Sequence, residues 1–175
     1  MSERHIILDG AIVADEWTLL AADHQGALPA GKLIVPLAQW LARRDEFIER
    51  AALHDLPWGV WLEGDEDPAQ LTGDLARLAL IAIHFPKFAD GRGYSTAYLL
   101  RSRHGFKGEL RAIGDVLRDQ VFYLKRAGFN SFAIRADKPV KDALNALKDF
   151  SEPYQGSVDE ARPLFRRARR GEVVA

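Results

Sequence analysis

Apolar positions fall along this chain in two alternating patterns: short unbroken runs, and longer stretches in which apolar residues recur every three or four positions. Residues 5–13, HIILDGAIV, hold two short runs around Asp9 and Gly10, both able to take positive φ, which predicts a two-residue hairpin. Trp17, Leu19 and Leu20 read as cover for a core edge. Residues 33–35 read as a short buried strand ended by Pro36. Leu37, Trp40, Leu41, Phe47, Ile48 and Ala51 then follow the helical period, predicting a long helix to about Leu53. Residues 58–62 are the next strand, and an acidic loop over 63–67 follows. Asp67 before Pro68 predicts a helix opening, with Leu71, Leu75 and Leu78 as its buried stripe. Residues 80–85 form a continuous apolar run, as expected of a strand covered on both faces. Ser95 and Thr96 open a helix that Gly105 closes. Residues 109–113 form a strand, after which Asp115 caps a helix carrying Leu117, Val121 and Leu124 and closed by Gly128. Residues 132–134 are the last strand, and Asp137 with Pro139 starts a final helix.

This order predicts an α/β fold: an N-terminal β-hairpin, then about five strand–helix units forming a mainly parallel sheet, open or a partial barrel. A complete eight-stranded barrel typically takes about 250 residues, and the chain has 175. One α/β domain is expected over residues 1–155, with an arginine-rich flexible tail over 156–175.

The chain has no cysteine. That excludes a disulfide framework, a thiol redox couple, a cysteine-ligated iron–sulfur cluster and a thiolate nucleophile. No apolar run has the length of a membrane span, and the first residues lack a secretion-signal layout, so a cytoplasmic location is the expectation. The net charge of −1 conceals an asymmetry: residues 1–85 sum to −8 and residues 86–175 to +7. Five arginines between 162 and 170 supply part of the excess; the asymmetry reads either as a folded dipole of no consequence or as a second half that meets an acidic partner or an anionic ligand. Nucleic acid is not expected, because the chain is not basic overall and carries no binding motif.

Ligands of open parallel sheets gather beyond the carboxyl ends of the strands. Two loops lie at such ends: 86–93, PKFADGRG, and the turn at Gly114 and Asp115. In the first, Gly91 and Gly93 bare the backbone, Ser95 and Thr96 add hydroxyls, and Lys87 and Arg92 add charge beside a helix N-terminus. Such a set suits an oxyanion, and so does a glycine-shaped capped turn with no ligand; the pattern is neither a Walker loop nor a dinucleotide fingerprint. Asp90 and Asp115 are candidates for acid–base work, with helix capping as the other reading. Arg111 falls inside a strand, where its side chain meets a face or a pocket. Tyr94 and Tyr98, one helical turn apart, read as packing residues, with Tyr94 as a site donor in the alternative. The five histidines show no metal-ligand spacing, so no metal is expected, and His84 near a strand end reads first as a core residue and second as a catalyst. No flavin or other redox-cofactor fingerprint is present.

Residues 85–101, FPKFADGRGYSTAYLLR, 105–120, GFKGELRAIGDVLRDQ, and 126–132, RAGFNSF, resemble the bacterial domain-of-unknown-function family 934. Members of that family are typically encoded beside sulfite reductase and phosphoadenylylsulfate reductase and are commonly labelled oxidoreductases of sulfite reduction. The resemblance implies a sulfur oxyanion as the relevant ligand and sulfite reductase as a partner; it brings no established catalytic residues. Two functions follow as expectations. One is an accessory protein, or oxidoreductase component, of assimilatory sulfite reduction. The other is an enzyme on a small anion, with Asp90 or Asp115 as acid–base and Arg92 as clamp.

Overall fold

The computed structural model describes residues 4–151 and 153–167. Eight strands form one sheet: β1 (His5–Leu8), β2 (Ala11–Ala14), β3 (Trp17–Leu19), β4 (Lys32–Pro36), β5 (Trp58–Glu63), β6 (Leu78–Phe85), β7 (Glu109–Gly114) and β8 (Ser131–Phe132). The spatial order is β2-β1-β8-β7-β6-β5-β4-β3. β3 to β8 are parallel throughout, and β1 runs antiparallel to both β2 and β8. The helices are α1 (Leu37–Ala42), α2 (Arg44–His54), α3 (Arg92–Ser102), α4 (Arg118–Ala127), α5 (Val140–Ala146) and the single turn α6 (Leu164–Arg167). The result is the α/β class expected: a hairpin, then strand–helix units in a mainly parallel sheet curled into an open half barrel. Among the described residues no helix is long and apolar enough to cross a membrane.

Alternation along the strands separates two cores. Ile81, Ile83 and Phe85 of β6 face the main core, with Trp40 and Phe47 from α1 and α2, Ala97 and Leu100 from α3, and Val121 and Leu124 from α4. Leu80 and Ala82 of the same strand face the concave side, where Ile6, Ile34, Trp61, Ile113 and Ala133 build a smaller core without a helix. All the larger helices therefore cover one face, and the chain's own edge residues Val13 and Trp17 pack against the other. The hairpin forms because Asp9 (φ 48°) and Gly10 (φ 79°) both adopt the left-handed region, as a two-residue primed turn requires.

Four local readings are corrected. Residues 17–19 are a strand, β3, added parallel to β4. The helix expected from 37 to 53 breaks at Arg43, between α1 and α2. The break accompanies a shared partner: Trp40 Nε1 donates to Asp74 Oδ2 at 3.0 Å, and Arg44 reaches the same oxygen at 3.0 Å. Asp67 does accept from the Ala69 N–H (2.9 Å), but only a 3-10 turn, Pro68–Leu71, follows. Asp74 anchors the next segment in turns, and Leu78 already belongs to β6. The last strand is also shorter than residues 132–134, ending at Phe132. Part of the arginine-rich tail is described: Ser157 Oγ and the Val158 N–H donate to the Arg126 carbonyl of α4, at 2.7 and 3.2 Å. Residues 168–175, its remainder, lie outside the described residues.

Candidate functional site

Parallel pairing brings the carboxyl ends of β5, β6 and β7 to one rim of the half barrel, with Glu63 opposite His84 and Phe85 opposite Gly114 in register. The two loops singled out by sequence leave this rim from adjacent strands and touch directly. The Asp115 N–H donates to the Phe85 carbonyl (2.7 Å), and the Phe88 N–H donates to Asp115 Oδ2 (3.0 Å). Gln120 Nε2 donates to the Phe88 carbonyl at 3.1 Å.

Asp90, Arg92 and Asp115 of these loops each have a charged partner. Arg92 lies between two carboxylates, Asp90 at 2.6 Å and Asp65 at 3.2 Å. Hydrogen bonds from the Arg92 side chain and then its backbone N–H hold the Asp90 carboxyl down at about 2, so at neutral pH Asp90 carries no proton to donate. Its Oδ1 also takes the N–H of Arg92, the first residue of α3, at 3.2 Å. Arg135 repeats the arrangement, bonding Asp137 (2.6 Å) and Asp115 (2.7 Å). The Arg92 cluster keeps one negative charge in excess, whereas Lys138, 3.7 Å from Asp137, balances the Arg135 cluster.

The remaining expected site residues are spread over the fold. Lys87 is exposed on the first loop. Gly93 is buried one residue inside α3, and an added Cβ would lie 2.7 Å from Phe85 Cζ and 2.9 Å from Ile83 Cγ2, so the glycine permits close helix–strand packing. Ser95 and Thr96 do not open the helix, which starts at Arg92; Ser95 is exposed, and Thr96 is buried with its hydroxyl 3.5 Å from the Gly64 carbonyl. Asp115 does not cap α4 either: Leu117 holds that position, its N–H donating to Gln120 Oε1 at 2.9 Å. Arg111 is on the concave face, two residues before Ile113 on β7, and its buried guanidinium binds Asp15 (2.8 Å) and Glu109 (2.8 Å). The rim thus brings together Lys87, Asp90, Arg92 and Asp115, while Arg111 is engaged elsewhere. Among the described residues no group of three or more histidines and carboxylates is placed to hold a metal ion.

The same rim carries a pair that sequence spacing does not reveal. His84 Nδ1 lies 3.0 Å from both carboxylate oxygens of Glu63. A carboxylate only accepts, so the imidazole proton sits on Nδ1, and Nε2 is the nitrogen left for a ligand. The ring meets Trp61 edge-on at 5.9 Å and lies against Gly114. His84, Trp61, Ile113 and residues 19–22 enclose a cavity of about 330 Å³ open to solvent. Its outer wall is pinned: Trp61 Nε1 donates to the Leu20 carbonyl (2.9 Å), and Gln39 Nε2 to the carbonyls of Ala22 (3.3 Å) and His24 (3.2 Å). This geometry offers one oriented proton donor or acceptor beside apolar walls, enough to fix a small ligand with a single polar or charged group. No sequence signal marks the pair: its members are 21 positions apart and meet only through the β5–β6 register.

A family model described as a bacterial protein of unknown function (DUF934) matches residues 59–165. The matched stretch takes in Glu63, His84, both aspartate–arginine clusters and the helices α3 to α5. No curated protein matches the chain.

Proposed function

The chain belongs to the bacterial DUF934 family, and from that premise we propose that it serves assimilatory sulfite reduction as an accessory protein with a small-ligand site of its own at His84. The single observation behind the ligand site is the His84–Glu63 pair, 3.0 Å apart at the carboxyl ends of β5 and β6, with His84 bordering a pinned cavity. The sulfur context comes from the family resemblance. In this reading a sulfur oxyanion meets the His84 ring at Nε2, and Glu63 fixes the ring's orientation through Nδ1. The aspartate–arginine clusters then shape the rim, and the excess negative charge around Arg92 disfavours a second anion there. A second reading, an enzyme on a small anion using Asp90 or Asp115 with Arg92 as clamp, draws on the direct contact between the two loops. It requires Arg92 to leave two carboxylates.

Complementation separates the readings. A host strain lacking the gene is expected to grow poorly with sulfate as its sole sulfur source and to recover with wild type and with Arg92→Gln, but not with His84→Ala. Normal growth of the deleted strain would end the sulfite assignment. Rescue by His84→Ala with failure of Arg92→Gln would transfer the site to the aspartate–arginine cluster.

A further inference from the structure

The helical side carries a groove that the rim does not use. It runs between α3, α4 and residues 155–161. At one end Tyr94, Tyr98 and Tyr123 line a cavity of about 590 Å³. Tyr98 and Ser157 continue into a second part of about 480 Å³ over Phe106 and Lys107. The charged side chains lining both parts are Arg101, Lys107 and Arg126, with no carboxylate among the described lining residues. Arg101 is bonded to the carbonyls of Phe106 (2.8 Å), Gly108 (2.9 Å) and Gly128 (2.9 Å) and to Asn130 Oδ1 (3.1 Å), partners that leave its charge in place. Arg126 donates to the Gln155 carbonyl, its Nη1 has no hydrogen-bond partner, and the Asp159 carboxylate is 3.8 Å away. Beside the groove Phe122, Tyr123 and Phe150 pack ring against ring, at 4.8 to 6.2 Å, with Tyr123 and Phe150 both 54 % exposed.

Aromatic side chains and arginine concentrated on one exposed patch have the composition of a binding hot spot. Charge narrows the occupant. A second copy meeting this face symmetrically would set two cationic grooves against each other. A nucleic-acid strand needs a row of exposed cations along its phosphates, and of the three lining cations only Lys107 is exposed, enough to meet a carboxylate of a short segment and too few for a strand. We infer that the groove receives an acidic protein segment that inserts an apolar side chain between Tyr98 and Tyr123. The inference is independent of His84 and holds whether or not the rim binds an oxyanion.

The test uses fluorescein-labelled glutamate–tyrosine copolymer, polyglutamate and oligo-dT in anisotropy titrations of the full chain. The copolymer is expected to bind most tightly, more weakly as salt rises, and about tenfold more weakly to Tyr98→Ala or Tyr123→Ala. Both tyrosines are about half exposed, so these variants keep the fold. Lys107→Glu is expected to weaken copolymer and polyglutamate alike. No copolymer binding, equal binding by the tyrosine variants, or tighter binding of oligo-dT overturns the inference. So does a wild-type dimer in sedimentation that Tyr123→Ala dissociates, because the occupant is then a second copy.

Discussion

Replacing Arg111 with methionine is expected to lower stability by about 3–5 kcal/mol, the cost of breaking a buried ion pair by removing one partner. The Arg111 side chain is 2 % exposed and lies 2.8 Å from Asp15, 4 % exposed, and 2.8 Å from Glu109, 14 % exposed. Asp15 belongs to the link between β2 and β3 and Arg111 to β7, so the pair ties a sheet edge across the concave face. Without the guanidinium, two carboxylates stay in a site built for one cation. The triple variant Arg111→Met, Asp15→Asn, Glu109→Gln removes that mismatch and is expected to recover most of the loss. Urea unfolding of the three proteins checks this; a single variant within about 1 kcal/mol of wild type would mean that water reaches the carboxylates.

Gly114→Ala is expected to cost about 2–4 kcal/mol, from left-handed backbone strain and overpacking together. Gly114 has φ +94°, and an added Cβ would lie 2.4 Å from the Phe85 carbonyl oxygen and 2.6 Å from His84 Cδ2. The substitution therefore strains the turn and pushes the imidazole off its seat. Gly105 separates the two effects: its φ is +69°, with nothing within 4 Å of an added Cβ. Gly105→Ala is expected to cost only the backbone part, about 1–2 kcal/mol, and to leave His84 undisturbed. Equal losses for the two variants in denaturant unfolding would show that the His84 ring yields freely.

Much of the fold was legible because local chemistry and global pairing agree. Asp9 with Gly10 specifies its turn, and the apolar run at 80–85 can only be a covered strand in an alternating chain. Where sequence misleads, a distant partner competes with a local one. Leu71, Leu75 and Leu78 have helical spacing, but Asp74 is taken by Trp40 and Arg44, and Leu78 pairs with Trp58 of β5. Asp115 has the chemistry of a cap, yet its carboxylate goes to the Phe88 N–H and Arg135, and Gln120 serves α4 instead. Of the candidate site, sequence finds the rim loops, because glycine and charge after an apolar run mark a strand end. It cannot find the His84–Glu63 pair, whose members are 21 positions apart and become neighbours only through the β5–β6 register.

Ring-nitrogen NMR of the five histidines, recorded while sulfite, sulfate and phosphate are added in turn, tests the His84 site most directly. The His84 Nε2 signal is expected to move saturably with a sulfur oxyanion, Glu63→Gln to weaken the response, and His54 and His104 to stay still. A His84 signal that ignores all three anions, or one that moves no more than its fellow histidines, would contradict an oxyanion site at His84.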